Sequence, residues 1–436
     1  MHARDRTSWS LKELQYGQPT MKLTQISLLS SFSLLTAAWP HHHHDYFNNV
    51  TIFTPPSEWE DRSTSYARTV LLNQDCEKEP YTLLATWTVG APDGPYFPIY
   101  ESQDYGRTWS ERSKAYFTGG DFTGGTLLQP FLYETSQQFG KYPAGTVLLS
   151  GNGIPGDFNS TNIQLYASED KGYSWEFVST VNVGTRPNTT NGASPIWEPF
   201  IHAYDDQLAV YYSDQGDPEH GQSQVFQTST DLENWGTVVD AVAFDNYTQR
   251  PGMITMAQIG DGKKQGSGKW ITTFEVGLPD SSGGRVDTTV AHYAVSYKIA
   301  DDPYSFQDAP TFLLQSTEGL TASAGPYVVW TPAGGENGTI VVSDSTTEDL
   351  FLNTQNGDPN AWVNVTSGHG VGYSRSLRVM PGNGGKTVLV TNGGMYGEDE
   401  TIVTTGEFFV PGKPAWGHFD AFAKCERKHH GWGGWW

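Results

Sequence analysis

A short motif that recurs along the chain constrains the fold more than any other feature of the sequence. The segment from Ser102 to Trp109 reads S-Q-D-Y-G-R-T-W and returns between Ser168 and Trp175 as S-E-D-K-G-Y-S-W. A degenerate copy, which lacks the glycine and is one residue shorter, lies between Ser229 and Trp235. In such a motif, the Asp box, the Ser and Asp side chains hydrogen-bond the backbone of a tight hairpin turn. We therefore predict structural roles for Asp104, Asp170 and Asp231, and neither catalysis nor calcium binding.

The spacing of these motifs predicts the architecture. With fainter copies near Ser296 and Asn353, the motif begins about every 60 residues. A unit of that length with four short strands corresponds to one blade of a β-propeller. Strand-like apolar runs fit this count, and no amphipathic helix of normal length is evident. We therefore expect an all-β, six-bladed β-propeller, with the segment after Gly412 completing the last blade or closing the ring.

The N-terminal region reads as a secretion signal. Residues from Met21 to about Ala38 combine a basic start, an apolar run too short to span a bilayer, and small residues suited to cleavage. We divide the chain into a doubtful extension (1–20), a signal peptide (21–38), a linker (39–48), the propeller (49–423) and a Trp- and His-rich tail (424–436). This division predicts an extracellular, secreted protein without a membrane anchor.

Acceptor sequons for N-glycosylation support the same compartment, because glycans are added to surface loops of secreted proteins. They lie at Asn49, Asn159, Asn188, Asn246, Asn337 and Asn364. We expect a glycoprotein.

The acidic composition narrows the possible partners. The chain holds 48 Asp and Glu against 26 Lys and Arg, and it has no basic stripe, which argues against nucleic acid binding. Cys76 and Cys425 lie near the two ends of the mature chain, where a disulfide could fasten a ring; two unpaired cysteines are the alternative. Two such distant cysteines do not suggest zinc. We expect a monomer with no metal and no cofactor.

Two glutamates are the candidate catalytic residues. Glu198 is bracketed by Trp197 and by Pro199 and Phe200, so burial would raise its pKa and suit proton donation. Glu275 ends an alternating strand near Gly277, where a ligand can approach the backbone. A solvated position at a rim or strand end is the alternative for each. Two carboxylates that flank a sugar are the usual apparatus of a glycosidase.

Further polar and aromatic residues on or beside predicted inner strands are candidates for substrate binding. The arginines could bind sugar hydroxyls or keep a carboxylate ionised, with structural ion pairs as the alternative, and Asp214 could be a third carboxylate or part of a turn. The candidates are Arg68, Gln129, Asn152, Trp197, Asp214, Arg250, Tyr327, Tyr373 and Arg375. No G-x-S-x-G, H-E-x-x-H, phosphate-binding or dinucleotide motif is present.

An ordered set of short segments resembles the fungal exo-arabinanases of glycoside hydrolase family 93 over roughly residues 46–410. Besides the Asp boxes, the set includes Y-A-R-T from Tyr66, L-Q-P-F from Leu128, W-E-P-F from Trp197, R-P-G-M from Arg250 and G-Y-S-R from Gly372. The resemblance implies a sialidase-like propeller that cleaves 1,5-α-L-arabinan from the non-reducing end, releases arabinobiose and retains configuration. It also implies that Glu198 and Glu275 are the catalytic pair. Which of them is the acid stays open, although the apolar bracket favours Glu198.

Two other functions fit parts of the pattern. A sialidase shares the fold but needs three arginines for the sugar carboxylate, a Tyr nucleophile and usually an Arg-Ile-Pro segment, whereas Thr69 follows Arg68 here. A non-catalytic sugar-binding propeller could dispense with one glutamate, whereas both are present. The sequence therefore favours an arabinan hydrolase with a polysaccharide substrate.

Overall fold

The computed structural model describes residues 46–73, 81–261, 265–277 and 293–415, in which strands joined by turns and loops are accompanied by a short 3₁₀ turn at Asn383–Gly385. The sequence-based assignments of an extension, a signal peptide, a Trp- and His-rich tail and a disulfide between Cys76 and Cys425 fall outside the described residues. Among the described residues, no helix is long and apolar enough to cross a membrane.

The described strands pair into six antiparallel sheets of four strands, which are the blades of the propeller. The first blade contains β2 (Thr64–Leu71), β3 (Leu83–Val89), β4 (Tyr96–Ser102) and β5 (Ser110–Tyr116). The second contains β6 (Thr126–Glu134), β7 (Val147–Ile154), β8 (Thr161–Ser168) and β9 (Glu176–Gly184). The third contains β10 (Ile196–Tyr204), β11 (Gln207–Asp214), β12 (Ser223–Ser229) and β13 (Val239–Val242).

The remaining blades repeat this order. The fourth contains β14 (Arg250–Gly260), β15 (Gly266–Gly277), β16 (Tyr293–Ala300) and β17 (Phe312–Leu313). The fifth contains β18 (Tyr327–Thr331), β19 (Thr339–Ser343), β20 (Asp349–Asn353) and β21 (Trp362–Thr366). The sixth contains β22 (Ser376–Val379), β23 (Thr387–Asn392), β24 (Val403–Phe409) and, as its outermost strand, β1 (Val50–Phe53). The prediction of an all-β, six-bladed propeller is confirmed.

The ring closes through the N-terminal strand. β1 pairs antiparallel with β24, so that Val50 lies opposite Thr405, and β22 of the sixth blade contacts β2 of the first. We expected the segment after Gly412 to complete the last blade or close the ring, but β1 already occupies the fourth position of this blade. The stretch from Gly412 to Ala415 is not part of a strand.

The Asp boxes form the hairpins between the third and fourth strands of their blades. Asp104 accepts hydrogen bonds from the Ser102 hydroxyl (2.8 Å) and from the N–H groups of Arg107 (3.0 Å) and Thr108 (2.9 Å). Asp170 and Asp231 accept equivalent bonds within their own turns. In the third box Leu232 takes the left-handed conformation (φ 69°) and its N–H binds the Ser229 hydroxyl, which explains how the turn forms without glycine.

Of the two fainter motif copies, one forms such a turn and the other does not. The Asn353 side-chain carbonyl accepts the N–H of Gly357, as the box serines do for their glycines. Ser296, in contrast, lies in the middle of β16 opposite Phe274. The segment around Ser296 therefore forms a strand and not an Asp-box hairpin.

Four of the predicted glycosylation sites are exposed, namely Asn49, Asn159, Asn188 and Asn246. Asn337 and Asn364 are half-buried, and the amide of Asn364 donates a hydrogen bond of 2.7 Å to Asp349.

Antiparallel pairing places the Asp boxes and the candidate glutamates at opposite ends of the blades. Glu198 lies near the start of a first strand, β10, and Glu275 lies near the end of a second strand, β15. Neighbouring antiparallel strands bring these two positions to the same end of the propeller. The boxes follow third strands and therefore lie at the other end.

Candidate active site

The innermost strands carry a repeated irregularity at the end of the propeller where the glutamates lie. In each of the first four blades a β-bulge interrupts the pairing of the innermost strand with its neighbour. A residue with a left-handed backbone marks each bulge, and two further such residues precede β18 and β22. They are Tyr66 (φ 53°), Gln129 (60°), Glu198 (63°), Met253 (58°), Ala324 (60°) and Ser374 (60°). Bulges and positive φ angles of this kind often redirect side chains at functional sites.

Hydrogen bonds between blades hold several of these irregular positions. The Gln129 side-chain carbonyl accepts the N–H of Glu198 (3.0 Å), and Glu198 Oε2 accepts the N–H of Met253 (3.0 Å). Glu275 Oε2 accepts the N–H of Gly325 (2.7 Å), the residue after Ala324. Each glutamate therefore binds the backbone of the blade that follows its own.

The carboxylate of Glu198 accepts three hydrogen bonds from residues that the structure describes. Besides the Met253 N–H, the Ser213 hydroxyl donates to Oε2 at 2.7 Å and the Tyr66 hydroxyl donates to Oε1 at 3.3 Å. The side chain lines a pocket together with Tyr66, Arg68 and Gln129. Three donors around one carboxylate favour its ionised form.

Glu275 has weaker support for a negative charge. It is 8% exposed, and within the described part of the chain its two donors are the Gly325 N–H and, at 3.5 Å, the Tyr373 hydroxyl. Burial, followed by the nearby charge of Glu198, raises the pKa of Glu275 to about 8. Burial also raises the pKa of Glu198, but hydrogen bonds from Ser213, Met253 and Tyr66 oppose this effect. Glu275 is therefore the better placed of the two to hold a proton near neutral pH.

Gly252 separates the two glutamates. It pairs with Glu275 across β14 and β15. A Cβ atom on Gly252 would lie 3.5 Å from Cγ of Glu275 and 3.6 Å from Oε2 of Glu198. Both side chains thus approach one point beside a residue that has no side chain of its own, and a methyl group there would contact both of them.

Solved structures of two enzymes are similar to this chain over most of their length. A GH93 α-L-arabinofuranosidase of Fusarium graminearum, solved with arabinobiose, is 38% identical, with 84% of this chain and 98% of that chain covered and a TM-score of 0.75. An α-L-arabinanase of Penicillium chrysogenum, also solved with arabinobiose, is 36% identical, with the same coverage and TM-score. This chain belongs to glycoside hydrolase family 93. No family model matches the chain in a scan of such models, and a search of curated proteins finds no match.

This family 93 enzyme is similar in fold to a sialidase. The NanB sialidase of Streptococcus pneumoniae is 10% identical, with a TM-score of 0.51 over 83% of this chain and 70% of that chain. The resemblance stated from the sequence motifs, to family 93 and to a sialidase-like propeller, is confirmed by the fold and by the two similar enzymes.

The three predicted substrate-binding arginines do not converge on one point. Arg68 lines the pocket, and its Nη atoms donate to the carbonyl oxygens of Ala67 and Ser374 and to the Ser374 hydroxyl, while its guanidinium lies 5.3 Å from the ring centre of Tyr327. Arg250 donates to side-chain carbonyls of Asn191, Gln215 and Gln222 and to the Gly221 carbonyl. The sialidase reading needs a triad that this arrangement does not supply.

Arg375 lies away from the pocket in this enzyme. It is fully buried and forms an ion pair with the equally buried Asp344 at 3.5 Å. Its guanidinium donates to the backbone carbonyls of Asp344, Thr347, Asp349, His369 and Gly370. The sugar-binding role predicted for Arg375 does not fit this position, because every direction of its donors is used within the fold.

Asn152 and Asp214 make contacts other than the sugar contacts predicted for them. Asn152 is fully buried, donates to the Ile196 carbonyl (2.9 Å) and accepts the N–H of Asn162. It therefore anchors the start of β10, two residues before Glu198, and has no free group for a sugar. Asp214 ends β11 and accepts the N–H of Gly216, as the alternative turn role predicted. Its neighbour Ser213 contacts Glu198, and alternate residues of a strand point to opposite faces.

The remaining candidates lie close to the glutamates. Trp197 is partly exposed, and its indole N–H donates to Gln215 at 3.1 Å. The Tyr373 ring meets the Tyr66 ring edge-on, with 5.3 Å between ring centres. Tyr396, which is 66% exposed, packs against both of these rings.

Sequence reasoning missed several groups of this site. Tyr66, Ser213, Gly252 and the backbone N–H groups of Met253 and Gly325 all contact the glutamates or separate them. Tyr66, the Arg250-Pro-Gly-Met segment and Ser213, in the segment Y-Y-S-D from Tyr211, were visible in the family motifs, but no pattern marks Gly325. Among the described residues, no three His, Cys, Asp or Glu side chains form a group that could hold a metal ion.

Proposed function

We propose that this enzyme is a secreted, retaining exo-arabinanase that cleaves 1,5-α-L-arabinan from the non-reducing end and releases arabinobiose. Glu198 is the nucleophile and Glu275 the acid and base. The observation that carries the proposal is the unequal environment of the two carboxyl groups that face each other over Gly252.

The assignment of roles follows from hydrogen bonding. A nucleophile must be ionised, and Glu198 has three donors that stabilise its charge. A general acid must hold a proton near neutral pH, and the raised pKa of Glu275 meets this need. The apolar bracket in the sequence favoured Glu198 as the acid. The proposal reverses that preference, because the Ser213, Tyr66 and Met253 donors reach Glu198 from other strands.

Retention and substrate class have separate support. Retaining glycosidases place their carboxyl groups about 5–5.5 Å apart, closer than inverting ones. Contact of both glutamates with the space above Gly252 fits the closer arrangement. The arabinobiose bound to the Fusarium and Penicillium relatives supports arabinan as substrate and a two-sugar product. A neutral polymer also agrees with Arg68 and Arg250, whose guanidinium groups donate to neutral oxygen atoms of the protein.

The test is a time course with linear 1,5-α-arabinan and the purified chain from residue 39 onward, with the products separated by chromatography. We expect arabinobiose alone from the first minutes, and no product from Glu198→Gln or Glu275→Gln. A ladder of oligomers would overturn the exo mode. No release at any pH, or a glutamine variant as active as the parent, would overturn the proposed function in favour of sugar binding alone.

A further inference from the structure

A chain of buried polar groups lies behind Glu198. Ser213 on β11 and Gln224 on β12 are adjacent strand partners and are both fully buried. The Gln224 amide nitrogen lies 2.6 Å from the Ser213 hydroxyl oxygen, which lies 2.7 Å from Oε2 of Glu198. Of these two residues only Ser213 contacts the carboxylate, and Gln224 is joined to it through this hydroxyl.

The orientation of the Gln224 amide is determined by its other two partners. Its nitrogen lies 2.9 Å from the carbonyl oxygen of Pro251, which can only accept a hydrogen bond. Its oxygen lies 3.2 Å from the N–H of Ile254, which can only donate. A flipped amide would oppose like groups at both contacts. The NH₂ group therefore faces Ser213.

This orientation decides the direction of the next hydrogen bond. The Ser213 oxygen accepts from Gln224, so its single hydrogen is free to point at Glu198 Oε2. A hydroxyl that donates to a carboxylate stabilises the charged form, whereas one that accepts would favour a protonated acid. The two glutamates can therefore divide their roles through a buried amide that contacts neither of them.

We propose that Gln224 is a positioning residue, whose amide holds the Ser213 hydroxyl as a donor to Glu198 and so keeps this carboxylate ionised as the nucleophile. The proposal deepens the proposed function and rests on it. Gln224 belongs to none of the sequence motifs that mark this family.

Other charged and titratable groups also face Glu198 and must stay unchanged in any test. They are Tyr66 and Arg68 on β2, Arg250 on β14, Glu275 on β15 and Tyr373 before β22. The variants below alter none of them.

The direct readout is the titration of Glu198, followed by NMR of the protein labelled with ¹³C at glutamate carboxyl groups, with Glu198→Gln to assign the signal. Ser213→Ala removes one donor and should raise the titration midpoint by about one pH unit. Gln224→Met leaves the hydroxyl in place but frees its orientation, so the midpoint should move in the same direction. Gln224→Asn shortens the side chain by one methylene group and so moves the amide away from Ser213. It replaces Gln224→Met in the experiment if that variant does not fold.

Two further variants separate positioning from a general packing effect. In the double variant Ser213→Ala/Gln224→Met the midpoint should equal that of Ser213→Ala, because the hydroxyl that transmits the effect is absent. Gln227→Met is the matched control on the same strand, since Gln227 is also buried but bonds Tyr212 and Gly236. It should leave the midpoint unchanged.

The same shift should appear in activity, as a displacement of the acid limb of the kcat/KM profile on arabinan to higher pH. A wild-type midpoint in both Gln224 variants, or additive shifts in the double variant, would overturn the positioning role. Because the NMR titration needs no substrate, this result is distinct from failure of the arabinan assay, which would overturn the proposed function instead.

Discussion

At the scale of single residues, the site depends on what Gly252 lacks. Two carboxyl side chains from different blades approach this position, and only the absence of a side chain leaves space between them. The backbone of Gly252 is not in the left-handed region, and the three nearest atoms to an added Cβ lie at 3.3–3.6 Å. The fold therefore tolerates a larger residue here more readily than catalysis does.

Gly252→Ala should lower kcat/KM on arabinan about 100-fold or more, because a methyl group displaces the reacting sugar from between the glutamates. The unfolding temperature should change little. Gly236→Ala is the matched control, since its added Cβ would meet only Thr228 at 3.5 Å and 3.7 Å beyond the third Asp box. Steady-state kinetics and calorimetry check both variants. Full activity in Gly252→Ala would contradict this geometry.

Glu275 should also affect how the free energy of unfolding depends on pH. Its pKa rises from 4.5 to about 8 on folding. Above pH 4.5 the unfolded chain loses this proton while the folded protein keeps it, so Glu275 lowers the free energy of unfolding as pH rises, by up to about 1.4 kcal/mol per pH unit, until pH 8. Glu275→Gln should remove this decline, measured by denaturant unfolding between pH 5 and pH 8. An identical pH dependence in parent and variant would show that Glu275 titrates normally.

At the scale of strands and turns, catalysis and folding use opposite ends of the blades. The bulged starts of the innermost strands supply the site, and the Asp-box hairpins hold the far ends of the outer strands. Each box aspartate gathers several hydrogen bonds within one turn but contacts nothing near the glutamates. Changes to the boxes should therefore affect stability alone.

Asp104→Ala should reduce the free energy of unfolding by about 1–3 kcal/mol, because four donors of the first hairpin lose their acceptor. Asp104→Asn should cost less, since its amide oxygen still accepts the backbone N–H groups. Chemical denaturation measures both, and kcat/KM should equal that of the parent. A loss of activity in a folded Asp104→Asn protein would mean that the box reaches the site.

At the scale of the whole molecule, the ring is closed by strands from opposite ends of the chain. Ile52 of β1 is buried, and Phe53 packs against Trp87 of the first blade with 5.3 Å between ring centres. The sixth blade therefore depends on residues that directly follow the predicted linker.

A chain that begins at residue 54 should unfold at a clearly lower temperature than one that begins at residue 39. The shorter chain leaves the edge of β24 unpaired and uncovers the apolar contacts of β1. Differential scanning calorimetry of the two purified proteins compares them. Equal unfolding temperatures would show that β1 adds nothing to closure.

The sequence predicts the fold well because the Asp box both marks a hairpin turn and recurs at a regular spacing along the chain. A hairpin every 60 residues or so leaves few architectures open. The unusual environment of Glu198 and Glu275 was also predictable, since both carboxylates lie within apolar sequence. Ring closure was not predictable from composition, because β1 is a short strand with one fully inward residue.

The other residues of the site were harder to predict, because the sequence does not show in which direction each side chain points. Ser374 has a positive φ angle, and around this irregular residue Tyr373 turns toward Glu275 while Arg375 turns into the protein interior. The order of these residues in the sequence motif does not reveal that the two side chains point in different directions. Ser213 and Gln224 act through contacts across strands that no local pattern encodes.

The most direct test of the catalytic assignment is to trap the glycosyl-enzyme. Glu275→Gln slows hydrolysis of the intermediate because it cannot activate water, but an aryl arabinobioside with a good leaving group still reacts with the nucleophile. Mass spectrometry of the intact variant should show one added arabinobiosyl group, and peptide mapping should locate it on Glu198. No adduct, or an adduct on a different residue, would contradict the account.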